Sequence, residues 1–178
     1  MPPHFDQAEE EAQEKMKASR QTGEIVGLMK EHAGAARLQE AGIEALRNFT
    51  VEDNAESRTK VAGLGGIESI VGAMQAHEGV AGVQEQGCWA LRNLAINDGN
   101  HAKVAELGGI EAVVQGMVSH EGAEEVQLAG CWALVHFCGN ADNRIKVAAL
   151  GGIGALMSGM RAHADFVEVQ EQVLTPEP

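Results

Sequence analysis

The histidines, cysteines and tryptophans of this chain are the residues whose spacing could do chemistry. His32, His77, His120 and His163 form a regular series that invites a metal site. Geometry rejects it. Packed helices lie ~8–10 Å apart, while the ligands of one zinc sit ~2.0–2.1 Å from the metal. Each His is instead expected to end a helix, where an imidazolium suits the dipole. Cys88 and Cys131 repeat a position on neighbouring helices, so their Cα atoms should exceed the disulfide limit of about 7 Å. They read as small buried residues. His136 and Cys138 are two apart in a helix and point to different faces, so they make no nucleophile pair. No convergent catalytic set emerges, and the chain is read as non-enzymatic, with no cofactor and no metal. Two pairs remain, Trp89/Asn93 and Trp132/His136, each at i, i+4 and therefore on one helix face; for both tryptophans, a place in a groove competes with packing between repeats. Asn48, Arg92 and Asn140 are assigned to the same surface. For Arg92 and its equivalent Arg47, pairing with Glu44 or Glu85 on neighbouring helices competes with a role at a partner.

The elements that position these residues come from internal repetition. Gly87-Cys88-Trp89-Ala90-Leu91 recurs as Gly130-Cys131-Trp132-Ala133-Leu134, 43 residues later. Leu64-Gly65-Gly66-Ile67 recurs at Leu107 and Leu150 with the same spacing. Lys60, Lys103 and Lys146 keep the register, as do Val83-Gln84, Val126-Gln127 and Val169-Gln170. An earlier copy carries Ala45-Leu46-Arg47-Asn48 at a spacing of 45 from Ala90-Leu91-Arg92-Asn93. Each copy reads as three helices. In one copy these run near 100–107, 110–119 and 126–138, with apolar residues at helical spacing. Third helices are expected near 36–49, 83–96 and 126–139, with a partial one at 167–174. Residues 1–32 read as an acidic helix and a degenerate capping repeat, residues 33–174 as the repeats, and 175–178 as a tail. A unit this short cannot close a core alone, whereas stacked neighbours can. The fold class predicted is all-α, a right-handed superhelical solenoid.

The 178 residues include 26 Asp+Glu against 13 Lys+Arg, a net charge of −13. That excess would repel a phosphate backbone, so nucleic acid is excluded as a partner. It favours a basic protein or peptide partner by steering. No apolar run approaches the ~18 residues of a membrane span, so no membrane partner is expected. No secretory leader is read at the start of the chain. Three cysteines argue for a reducing compartment, the cytoplasm or the nucleus. The 22 glycines sit uneasily with helix, where Gly costs ~1 kcal/mol against Ala. Most of them fall in repeat register, so they read as helix stops, turns and close-packing points. Gly27, Gly72, Gly116 and Gly159 are assigned to the last group.

Trp89-Ala90-Leu91-Arg92-Asn93-Leu94-Ala95 followed by Glu106-Leu107-Gly108-Gly109-Ile110 resembles the armadillo repeat family. Trp132-Ala133-Leu134 with Leu150-Gly151-Gly152-Ile153 matches the same pattern. The resemblance spans about 24–174. It implies a concave surface built from third helices. In the importin-alpha branch, a third-helix Trp and Asn face that groove; the Asn amide holds an extended peptide and the Trp faces form slots for basic side chains. Trp89/Asn93 match both positions. Trp132 is followed by His136 in place of Asn, and Asn48 has Glu44 in place of Trp.

The chain is therefore read as a protein-interaction module. A peptide or partner helix would lie across Asn48, Trp89, Arg92, Asn93, Trp132, His136 and Asn140. The alternative is an assembly subunit. No polar cap follows Leu174, so Leu156, Met157, Val169 and Val173 would bury against another copy or another subunit.

Overall fold

A computed structural model describes residues 7–18, 21–51 and 55–162. The described residues form eleven helices and no strand. In order these are α1 (Gln7–Ala18), α2 (Thr22–Glu31), α3 (Ala36–Val51), α4 (Ala55–Gly63), α5 (Gly66–Ala76) and α6 (Ala81–Leu94). They continue as α7 (Asp98–Glu106), α8 (Gly109–Ser119), α9 (Glu124–Phe137), α10 (Ala141–Ala149) and α11 (Gly152–Ala162). Helices α4, α5 and α6 have 9, 11 and 14 residues, and α7, α8 and α9 repeat those lengths.

The double glycine between the first and second helix of each copy has two separate causes. Gly65, Gly108 and Gly151 have φ of 85°, 83° and 82°, a left-handed conformation that ends one helix and starts the next. Gly66, Gly109 and Gly152 are needed for space. A Cβ on Gly109 would stand 2.9 Å from the Val104 carbonyl oxygen, a backbone atom that cannot step aside. The close-packing role holds for Gly116 and Gly159, whose Cβ positions would meet Gln84 and Gln127 of the preceding unit. It does not hold for Gly27 and Gly72, which have open space there.

The third helices begin two residues earlier than expected at Ala81 and Glu124. The reason lies in the residues just before them. Val80 and Ala123 are extended and lead directly out of the His77 and His120 turns. Gln84 Nε2 then donates to the Met74 and His77 carbonyls at 2.9 and 3.0 Å. Gln39 and Gln127 do the same at Met29/His32 and Met117/His120. This satisfies carbonyls that every helix C-terminus leaves without an intrahelical partner.

Like packs on like along the chain: α3 on α6 and α6 on α9, α2 on α5, α5 on α8 and α8 on α11, α4 on α7 and α7 on α10. One continuous apolar core runs through them, including Ile25, Leu46, Ile70, Leu91, Val113 and Leu134. Full burial of each such side chain stabilises by ~1.5–3 kcal/mol relative to exposure. Polar ties join successive units. His77 Nε2 donates to the Ala33 carbonyl at 2.8 Å and His120 Nε2 to the Glu78 carbonyl at 2.7 Å. His32, His77 and His120 thus end α2, α5 and α8, and His77 and His120 also tie their units to the turn before; His163 lies outside the described residues. Lys103 donates to the Ala62 carbonyl at 2.6 Å and pairs with Glu68 at 3.4 Å. A cation at that helix C-terminus also complements the dipole.

Val169 and Val173, the partial helix at 167–174 and the tail at 175–178 lie outside the described residues. Leu156 is partly buried against the core, while Met157 is 48% exposed. No helix among the described residues is long and apolar enough to cross a membrane.

Candidate functional site

Helices α3, α6 and α9 lie side by side, and they carry six of the seven assigned residues. Asn48 is exposed on α3. Trp89, on α6, is half-buried and packs against the core. Trp132, on α9, is also half-buried, but its ring is engaged by polar neighbours. The His136 ring stacks on it one helical turn later, with centroids 6.2 Å apart and planes inclined by 19°. From α6 the Arg92 guanidinium carbon lies 5.0 Å from the indole centroid. The structure therefore brings Arg92, Trp132 and His136 together as one cluster.

Two assigned residues need correction. Asn93 is not an open amide: it is 5% exposed, with Nδ2 donating to Thr50 Oγ1 at 3.3 Å. Its Oδ1 accepts from Arg92 Nη1 at 3.1 Å, and Thr50 in turn donates to the Arg47 carbonyl at 2.6 Å. The amide is spent on joining α3 to α6. Asn140 is not on a third helix at all. It caps α10, its Oδ1 accepting from the Asp142 and Asn143 backbone N–H groups at 2.9 and 3.1 Å. That is the ordinary work of Asn ahead of a helix. Asn97 caps α7 in the same way.

The electrostatics divide the surface in two. Burial pushes the His136 pKa down to about 4, and the nearby charges of Arg92 and His101 push in the same direction. The ring is therefore neutral at pH 7. Toward the N-terminal halves of the third helices, burial raises the Glu85 pKa. Glu125 and Glu40 raise it further, against the opposing charge of Arg47. Arg47 is near enough to Glu85 to pull its pKa down against these effects, and Arg92 meets Trp132 and Asn93.

Residue types and spacing missed three participants. Thr50 sits in a helix end that varies between copies, so nothing marked it as the partner of Asn93. His101 donates from its buried Nε2 to the Ala95 carbonyl, and lies outside the histidine series. Glu125 has no acidic counterpart in the copy before it, where Gly82 stands. Cys88 and Cys131 are buried free thiols as expected, and burial raises both pKa values. Among the described residues, no three His, Cys, Asp or Glu side chains converge as metal ligands would.

No family model, curated protein or solved structure matches the chain.

Proposed function

We propose that the chain is a non-catalytic protein-interaction module. In this reading it is an armadillo-like, right-handed superhelical solenoid of ~43-residue three-helix units. A peptide or partner helix lies along the surface of α3, α6 and α9. The observation that carries the reading is the half-exposed Trp132, with Arg92 of the adjacent helix over its ring and His136 stacked on it. An indole with such neighbours loses little side-chain entropy on binding, and Trp and Arg are enriched among interface anchors. Asn48 supplies an exposed amide on the same surface. Asn93 is not used, because both ends of its amide are bonded inside the fold, nor is Asn140, which caps α10. The proposed setting is a reducing compartment such as the cytoplasm, without nucleic acid or a membrane as partner.

The experiment compares partners captured by the wild type and by Trp132→Ala, with helical circular dichroism and melting as fold controls. Loss of captured partners by about tenfold, the equivalent of ~1.4 kcal/mol, is expected. Full retention in a folded Trp132→Ala protein overturns the reading.

A second reading has its own observation. Around α10 and α11, Ile145, Ile153 and Met157 are exposed, and Ile145 reaches 71%. Beside them a hollow of about 400 Å³ between α8 and α11 is lined by Val118, Leu150, Gly154 and Ala155. In this alternative that face carries self-association. Sedimentation velocity at tens of micromolar tests it, and a strict monomer removes it.

A further inference from the structure

The second helices also pack in a row, and the spaces between them differ. Between α2 and α5 lies a hollow of about 220 Å³, lined by Lys30 and Ala33 on one side and by Ser69, Gly72, Ala73 and Ala76 on the other. One junction later, between α5 and α8, the corresponding hollow is about 20 Å³. The repeat register gives the cause. Gln115 lines the smaller hollow at the place where Gly72 stands in the larger one. A Cβ on Gly72 would meet nothing within 4 Å, so no neighbour needs that space. Gln75 and Ala112 stand where the larger hollow has Lys30 and Ser69. The hollow between α8 and α11 is roomy, but Val118 and Ala155 take those two places. Of these three junctions, α2–α5 alone combines room, a cation and a hydroxyl.

Both polar groups lack the partners their chemistry calls for. Ser69 Oγ is shut off from solvent and has no hydrogen-bond partner, a costly state for a hydroxyl. No bond fixes it, so a turn about χ1 to another staggered position presents it to the hollow. Lys30 has no ion-pair partner among the described residues. Its Nζ stands 3.5 Å from the Cβ position of Gly65, at the start of α5. Glu68, the carboxylate in the same wall, is paired with Lys103 at 3.4 Å. Size narrows the ligand further. The hollow of about 220 Å³ exceeds the ~150 Å³ that admits benzene and falls short of the ~300 Å³ of sites for drug-sized molecules. We propose that the α2–α5 hollow binds a small monocarboxylic acid with a single apolar ring. The ring lies against Ala33, Ala73 and Ala76 in the space left at Gly72. The carboxylate meets the Lys30 ammonium and accepts from the Ser69 hydroxyl. The proposal is independent of the third-helix reading above.

The test titrates phenylacetate, its neutral amide phenylacetamide and the cation benzylamine into the full chain. Binding is read from the backbone amide NMR shifts of Lys30, Ser69 and Ala73. The wild type is expected to bind phenylacetate with a Kd of about 1 mM, and at least about tenfold more tightly than either other probe. Lys30→Gln is expected to bring acid and amide within about twofold of each other, while Lys30→Arg keeps the preference. Gly72→Gln installs the residue of the next junction where there is open space, and replaces Gly by a better helix former. It is expected to keep the fold by circular dichroism and melting and to lose all three probes. Shifts absent in the wild type at several millimolar phenylacetate overturn the proposal. So does an acid-to-amide ratio that Lys30→Gln leaves unmoved, or full binding in a folded Gly72→Gln protein. Tighter binding of the short peptide acetyl-Gly-Gly-Phe than of phenylacetate also overturns it, since the hollow would then read chain ends. Trp132→Ala is expected to leave phenylacetate binding unchanged, so this proposal and the third-helix reading fail separately.

Discussion

Between α3 and α6, Asn93 reaches Thr50 across the helix pair and closes the surface with a buried hydrogen bond. Between α6 and α9, one repeat later, His136 stands where Asn93 stood and Ala95 stands where Thr50 stood. With no hydroxyl to meet, the imidazole lies on its own helix against Trp132, and Arg92 closes over the same ring. Two junctions with matching helices thus have opposite characters. One spends its polar groups on stability. The other leaves an indole half-exposed, with Arg92 and His136 against its ring.

The contrast breaks most directly at its polar members. Asn93→Leu removes the bond to Thr50 and leaves Arg92 Nη1 without the acceptor it uses. A loss of about 2 kcal/mol in urea unfolding is expected for a buried group of this kind. His136→Leu, at the half-exposed junction, should cost less than ~1 kcal/mol. Equal costs would erase the distinction between the two junctions.

Acid separates them next. The His136 pKa is pushed from 6.5 down to about 4, so between those values the unfolded chain binds more protons than the folded one. Stability therefore falls as pH drops from 6.5 toward 4 and levels off below. The ring is only half-buried, and solvent screening limits the loss to about 1–2 kcal/mol. His136→Asn should flatten this slope in chemical denaturation at several pH values. A slope unchanged in that variant would assign the acid loss elsewhere.

The smallest effect sharpens the division within the surface. Glu85 has a raised pKa, caused by burial, then Glu125, and Glu40 in lesser measure against Arg47. Its folded form takes up a proton more readily, so it gains stability as pH falls through its folded value toward 4.5. This opposes the His136 slope. Glu85→Gln should stabilise by about 0.5 kcal/mol at pH 7, after discounting for exposure, and should steepen the acid loss. Destabilisation at pH 7 would mean that the attraction of the Arg47 charge outweighs burial and repulsion.

Much of the helical layout was legible because its signals are local. Gly65-Gly66 and its copies end one helix and start another by conformation and by lack of space. The 43-residue register carried the helix lengths from copy to copy. The cap at Asn140 is legible in the sequence, where an Asn is followed closely by Asp142 ahead of a new helix. Asn93 was different. Its burial depends on a hydroxyl 43 residues away, in the one helix end where the copies differ, and no spacing rule reports that.

The sequence by itself determined where helices start and stop, which positions repeat, and which few aromatic residues stand on repeated third-helix sites. Those are properties of backbone sterics and of apolar periodicity, which act within a turn or two. Only the tertiary structure decided that Arg92 reaches across to the Trp132 ring and that Asn93 turns inward to Thr50. Such choices depend on the rotation and offset of neighbouring helices by a few ångströms. Two side chains of suitable chemistry meet or miss on that scale, whatever their spacing along the chain.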